Sequence, residues 1–207
     1  MAWTAFYTNG YASSYGFGDD NDVANLPNAQ VQNALEIYYQ LSDYGWSVNA
    51  IAATVSNILS ESYINPGQRE HGFSLDTLIG GYGLCQWTDV GTTLNNTALH
   101  NWLTANGYSL TDGFAQVKFL NGMDEYLPGQ WIQNSQSGNL SWDDFRVSTL
   151  DPGDLALYFF WGYERGTWSE KRRYNANYFY TLFTNTPAPV KPKKMPIYFY
   201  LKHTRRL

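Results

Sequence analysis

The sequence predicts a mainly α domain with one short β element, and three observations predict it. Ala50, Ile51, Thr54, Val55, Ile58 and Leu59 recur at i, i+3, i+4, i+7 and i+8, which lays an apolar stripe along one helix. Several other segments repeat that spacing behind a capping residue. Between them, residues 65–91 hold closely set glycines and few helix formers, a loop with room for a short hairpin.

Taken in order, residues 1–27 are rich in Gly, Tyr, Ser and Asn without periodicity and read as an irregular arm. A helix follows from Asn28, with Val31, Leu35, Tyr38 and Tyr39 at helical spacing, and Gly45 ends it. Ser47 caps the second helix, the one that carries the stripe. Beyond the loop, Leu99, Trp102 and Leu103 mark a helix over 95–105 that Gly107 stops. Asp112 caps another over 112–126, around Phe114, Val117 and Leu120. Asp151 followed by Pro152 is a helix start, because proline's fixed φ and missing N–H suit the first helical position. The last helix runs from Ser169 to Phe183. From residue 185 the composition turns to proline and lysine, an extended linker with an apolar and basic end. The expected plan is an irregular arm over 1–27, one folded domain over 28–184, and a Pro-rich linker and basic tail over 185–207.

With 207 residues the chain has the length for one well-filled core. Aromatic residues make up 17%, so stacking surfaces are expected to be left over for a flat-faced ligand such as a sugar or a base. The formal net charge of −5 is unevenly spread: six of the thirteen Lys and Arg fall after residue 190, leaving seven against eighteen acidic side chains before it. An acidic body argues against nucleic acid as a partner, since phosphate affinity comes largely from Lys and Arg. No run of about 18 apolar residues is present to insert in a membrane, and the N-terminal residues lack the basic and apolar pattern of a secretory signal. Cys85 is the single cysteine, so the fold is expected to hold by packing without a disulfide. The three histidines and one cysteine show no metal-ligand spacing, and the glycines of 80–83 do not lie between a strand and a helix, so neither a metal nor another cofactor is expected.

The chemistry points to Glu61. It lies three residues after Ile58, seven after Thr54 and eleven after Ala50, so it projects from the apolar face at the C-terminal end of its helix. Burial disfavours a carboxylate, and the negative end of the helix dipole disfavours it too. Both effects favour a carboxyl that keeps its proton, which is what a general acid near neutrality requires. Ser62 is placed to hydrogen-bond that carboxyl, Asn65-Pro66-Gly67 sets a tight turn, and Gly80, Gly81 and Gly83 allow backbone to approach a ligand. The competing reading is a solvent-facing glutamate on a frayed last turn.

"ESYINP" followed by "GYGLCQW" resembles the Glu-Ser-x-x-Asn-Pro and Gly-x-Gly-Leu-x-Gln blocks of lysozyme-like peptidoglycan-cleaving enzymes, a group that includes goose-type lysozymes and lytic transglycosylases. The chain is most similar to the lysozyme-like domain of bacteriophage tail-tip (tail knob) proteins. Gly45-Trp46-Ser47, Ala50-Ile51, Glu61-Ser62, Asn65-Pro66-Gly67, Gly83-Leu84, Gln86-Trp87-Thr88 and Tyr163-Glu164-Arg165 carry the resemblance across residues 28–184. It implies an α+β lysozyme-like fold, a helical bundle around a buried helix with a small β-hairpin element flanking the substrate cleft. It also implies cleavage of the β-1,4 bond between N-acetylmuramic acid and N-acetylglucosamine.

In that resemblance Glu61 is the general acid, Ser62 its hydrogen-bonding support, Gln86 a substrate contact and Tyr163 a cleft-lining side chain, with Tyr82 and Trp87 as stacking surfaces. Glu70, Asp76 and Asp89 are candidates for a second carboxylate, with Asp76 taken as the supporting one, or are solvated loop charges. Glu164 and Arg165 read as a structural ion pair. The expected partners are peptidoglycan glycan strands and other phage tail proteins, met from the virion tail during genome entry.

Other readings stay open. A lytic transglycosylase would cut the same bond through an anhydro sugar, and an endolysin would do so at host lysis. A non-enzymatic wall-binding or structural tail module would use the same aromatic residues only to grip. A peptidase or amidase would pair Cys85 with His71 or His100, although Cys85 between Leu84 and Gln86 reads more simply as packing.

Overall fold

The computed structural model describes residues 23, 26–70, 72–73, 78–166 and 168–186. Residues 1–22, 24 and 25 of the expected arm over 1–27, residues 187–207 of the expected tail over 185–207, His71 and Asp76 lie outside the described residues. The helices are α1 (Asn28–Asp43), α2 (Val48–Ser62), α3 (Asn95–Ala105), α4 (Gly113–Asn121), α5 (Met123–Tyr126), α6 (Trp142–Val147), α7 (Pro152–Phe159) and α8 (Glu170–Asn185). Among the described residues one hairpin, β1 (Asp89–Val90) and β2 (Thr93–Leu94), pairs antiparallel with Asp89 opposite Leu94. The mainly α architecture with a small hairpin is therefore the one the sequence predicts.

Four of the predicted helix starts, Ser47, Asp112, Asp151 and Ser169, supply an acceptor for an orphan amide. The Ser47 hydroxyl accepts from the Ala50 amide at 3.1 Å, and the Asp112 carboxylate from Ala115 at 3.0 Å. Asp151 accepts from Gly153 at 2.8 Å and Asp154 at 3.2 Å, with Pro152 at the first helical position. Ser169 starts α8 by accepting from the Lys171 amide at 3.3 Å.

Four features depart from the sequence reading. The helix expected over 112–126 is two, α4 and α5, interrupted at Gly122, where a Cβ would run into the Tyr126 ring. The six-residue α6 was not foreseen, although Ser141 caps it and Asp143 and Asp144 occupy its first turn. The hairpin straddles the end of the 65–91 loop instead of lying within it. The helix that starts at Pro152 changes geometry at Phe160 and finishes as a π-helical turn, Phe160–Glu164, with the Arg165 amide donating to the Phe160 carbonyl at 2.8 Å.

Helix α2 forms the centre, packed most extensively against α8 and α7. Its apolar stripe lies in the core, and its remaining faces are buried as well: Ala52, Ala53, Ser56, Asn57 and Ser60 are all shut from solvent. These side chains are small or internally bonded, which lets neighbouring backbones close on every side. Ser56 donates to the Ala53 carbonyl at 2.8 Å, and Asn57 reaches across to the Ala156 carbonyl of α7 at 3.1 Å.

Much of the aromatic content of the described residues serves this core. Trp46, Trp131, Trp142, Phe145, Phe159 and Tyr163 form one connected stack, with Trp142 and Phe145 at 5.8 Å and Phe159 and Tyr163 at 4.9 Å between ring centroids.

Gln116 of α4 ties three loops together. Its Nε2 donates to the Pro66 and Leu110 carbonyls, both at 2.7 Å, and its Oε1 accepts from the Leu84 amide at 2.9 Å. Gln116→Leu would leave those three buried backbone groups unpaired, at about 1–3 kcal/mol each with partial relaxation. The expected loss is on the order of 3 kcal/mol in the free energy of unfolding, read from the midpoint of urea denaturation at unchanged slope.

Candidate active site

The last turn of α2 carries Glu61 to the edge of the core. Tyr63 closes the helix in the left-handed region at φ 56°, and Ile64 follows it there at φ 54°. That conformation is costly for a β-branched residue. It is held because Ile64 is fully buried and its carbonyl accepts from Asn33 Nδ2 of α1 at 2.8 Å. Asn65 then folds the next turn, its Oδ1 accepting from the Gly67 amide at 2.9 Å.

Glu61 does not stand among apolar neighbours as the sequence suggested. Its side chain is 21% exposed, and Oε1 accepts from Arg172 Nη2 at 2.6 Å. Arg172, in the first turn of α8, is 4% exposed; its Nη1 donates to Asn57 Oδ1 at 2.7 Å, and its guanidinium lies 5.0 Å from the centre of the Phe160 ring. Ser62 supports the helix and not the carboxyl: its hydroxyl donates to the Ile58 carbonyl at 3.0 Å.

A groove of about 480 Å³ lies on the side of Cys85 and Glu164, and neither Glu61 nor Arg172 is among its lining residues. The 83–88 loop lines one flank with Cys85, Gln86, Trp87 and Thr88, the hairpin another with Val90 and Thr93, and the π-helical turn contributes Tyr163, Glu164 and then Arg165. Trp87 Nε1 donates to the Tyr163 hydroxyl at 2.7 Å, and Gln130 Nε2 to the Tyr163 carbonyl at 2.8 Å, so the floor is braced from both sides. Gly83, at φ +74°, is required there, since a Cβ would lie 2.6 Å from Gln116 Oε1.

The sequence-predicted site residues sort unevenly onto this geometry. Gln86, Trp87 and Tyr163 line the groove. Gln86 sits at φ 45°, its Nε2 donating to the Gly83 carbonyl at 3.0 Å and its buried Oε1 unpartnered. Trp87 packs edge-on against Phe119 and is nearly fully buried, so it forms floor rather than a stacking platform. Tyr82 is 0% exposed and is not among the groove's lining residues; it packs against His100 and beneath the Arg69 guanidinium, a core position.

The second-carboxylate candidates that are described are structural. Glu70 Oε2 accepts from the Gly81 amide at 2.6 Å and fixes the loop. Asp89 caps α3 from β1: Oδ1 accepts from the Asn96 and Thr97 amides at 2.8 and 3.1 Å, and Oδ2 from the Thr97 hydroxyl at 2.5 Å.

Glu164 is the carboxyl that sequence reasoning assigned elsewhere. Among the described residues no ion pair joins it to Arg165, which is exposed and left-handed at φ 59°. Glu164 is half-buried, yet its Oε1 is cut off from solvent and has no hydrogen-bond partner. Burial raises its carboxyl well above the ordinary range and the Glu61 charge raises it further, against the opposing charges of Arg172 and Arg165. The signal that would have found it is the one that found Glu61, a carboxyl ending an apolar helical run, here "LALYFFWGYE".

The thiol is unsuited to nucleophilic work. Burial, and then the charges of Glu164 and Glu61, push Cys85 well above its usual value, the reverse of an activated thiolate. His100 is pushed down by burial and by Arg69, with Asp89 opposing, as it packs on Tyr82. Among the described residues no cluster of His, Cys, Asp and Glu is suited to a metal ion, and no helix is long and apolar enough to cross a membrane.

The model of the phage tail lysozyme family matches residues 32–183, from α1 through α8. The chain belongs to that family. The matched span of this phage tail lysozyme domain contains Glu61, Arg172, Glu164 and every lining residue of the groove. A curated relative, morphogenesis protein 1 of Bacillus phage B103, is 34% identical over 134 residues, which is 64% of this chain and 33% of the relative. The chain thus spans about a third of the length of the curated relative it matches.

The raised Glu164 carboxyl has a consequence for stability, because the native state binds its proton more tightly than the unfolded chain does. That stabilisation is complete below the ordinary glutamate value of about 4.3 and is lost as pH climbs through the raised native value. Glu164→Gln, which is neutral at every pH, should therefore match the wild type near pH 4 and melt increasingly above it toward pH 8, in thermal scans across that range.

Proposed function

We propose that this domain cleaves the β-1,4 bond between N-acetylmuramic acid and N-acetylglucosamine in peptidoglycan, with Glu61 as the general acid. The family supports a peptidoglycan-lytic role in phage. The observation that carries the assignment to Glu61 is its position at the C-terminal end of the buried helix α2, partly exposed and bonded at 2.6 Å to the buried Arg172.

In this mechanism Glu61 gives its proton to the glycosidic oxygen as the bond to the anomeric carbon breaks. The carboxylate so formed meets a donor already in place, Arg172 Nη2 at 2.6 Å, whose own position is fixed by Asn57 and Phe160. A preorganised cation costs no rearrangement at the moment charge develops. Gln86, on the groove wall at φ 45°, is a lining residue that would meet the glycan strand.

The phage origin of the family, and of a relative named for morphogenesis, support a component of the virion that acts on the host wall during entry. Its other partners would then be neighbouring tail proteins.

Glu61→Gln should lower the rate of turbidity loss of purified cell walls by a factor of about 10²–10⁴, the usual contribution of a general acid, with the melting curve retained as a check on folding. Undiminished lysis by that variant would remove Glu61 from the chemistry. The masses of the released muropeptides report the outcome: hydrolysis adds one water, whereas an anhydro sugar marks transglycosylation.

A further inference from the structure

We propose that a second groove, continuous with the first, receives the peptide branch of the wall polymer, with Arg165 pairing a carboxylate of that branch. The inference rests on the peptidoglycan reading above and extends it from the sugar chain to what that chain carries. The second groove, of about 300 Å³, lies between the hairpin and the start of α3 on one side and the segment from Tyr126 to Gln130 on the other. It shares Thr93, Asn95, Gln130 and Arg165 with the first, so the two are neighbouring stretches of one trough.

The junction between them is firmly built. Asn95 Nδ2 donates to Gln130 Oε1 at 2.9 Å, which ties the hairpin block to the opposite wall, and Gln130 Nε2 is committed to the Tyr163 carbonyl at 2.8 Å. A tight turn presents Gln130: its amide donates to the Leu127 carbonyl at 3.0 Å, with Pro128 and Gly129, at φ +82°, in the two central positions that favour those residues. Tyr126, just before the turn, stacks on Phe119 at 5.3 Å between centroids. Walls held in this way are in place before a ligand arrives, which lowers the ordering cost of binding.

Arg165 stands at that junction. It is the one cationic side chain lining either groove, and the second groove is lined by no carboxyl. Its residue is exposed, and its guanidinium makes no ion pair or hydrogen bond among the described residues. The backbone there is left-handed at φ 59°, fixed by the amide's bond to the Phe160 carbonyl at 2.8 Å. Glycine would take that conformation at less cost, whereas arginine brings a planar fork of donors to the trough.

The occupant follows from the chemistry. Such a fork matches a carboxylate bidentately, and in a peptidoglycan strand the carboxylates belong to the peptide that each N-acetylmuramic acid bears on its lactyl group. The remaining lining suits a short chain of amides and small side chains: Leu94, Ala98 and Pro128 are apolar, and Thr92 and Thr93 carry hydroxyls.

The test is an NMR titration of the full chain with N-acetylmuramyl tripeptide, as the free acid and with its carboxyls converted to amides. The free acid should shift the amide signals of Thr92, Ala98 and Gly129, and Arg165→Gln should weaken its binding by about threefold to tenfold, as expected for a charge-assisted pair at a partly solvated site. The amidated ligand should bind the wild type as weakly as the free acid binds the variant and lose nothing further in the variant, a coupling that a merely structural role of Arg165 would not produce. The variant should also lose about threefold more in kcat/KM on peptide-bearing strands than on strands stripped of peptide by an amidase. A free acid that leaves those amides unshifted, or that binds both proteins alike, overturns the proposal. Absence of cleavage on both kinds of strand, with the carboxylate-dependent binding retained, would instead overturn the functional assignment and leave the site standing.

Discussion

A buried guanidinium organises the site. Arg172 enters the core from the first turn of α8, where the helix dipole is unfavourable to a cation, and so depends on what meets it. It is met by Asn57 and Glu61 of α2 and by the face of Phe160, with Glu164 at longer range. Both glutamates stand at C-terminal ends, one of α2 and one of the turn that extends α7. The negative ends of two helical segments thus gather around the positive end of a third, an arrangement in which each unfavourable placement compensates another. Asn57, by also bonding the Ala156 carbonyl, makes the same contact a junction of α2, α7 and α8.

Around that junction the backbone is held in conformations that local preferences resist. Tyr63 and Ile64 follow Glu61, Gln86 stands in the groove wall, and Arg165 follows Glu164, all with positive φ and none of them glycine. Each costs of order 1–3 kcal/mol and persists because tertiary contacts fix it. Ile64 is held by burial and by Asn33, and Gln86 by its bonds to the Gly83 and Gln68 carbonyls. Strained residues adjoin both carboxyls and fix their placement at the expense of stability.

Local chemistry was legible in the sequence and distant pairing was not. Ser47, Asp112, Asp151 and Ser169 mark their helix starts because a cap acts within three residues. The exceptional position of Glu61 was readable from periodicity alone. Its partner was not, since Arg172 lies 111 residues away and nothing in "SEKRRYN" distinguishes a buried arginine from its exposed neighbours. Glu164 was obscured by the opposite circumstance, an arginine next in sequence that offered a local partner the backbone turns away. Tyr82 was misread because flanking glycines suggest exposure, whereas here they let the loop fold tightly over a ring that belongs to the core. Helix α6 is too short for its spacing to rise above that of a loop.

The Asp89 cap carries a consequence for the width of the groove. By bonding the first amides of α3 from within β1, that carboxylate fuses the hairpin and the helix behind it into one block, and Val90, Thr93 and Asn95 are carried on it together. The outer lip is therefore dimensioned by a residue that need never touch a saccharide. Exchanges at the lip's exposed tip would leave the gauge of the channel unchanged; it would be reset only where the lip is bolted down.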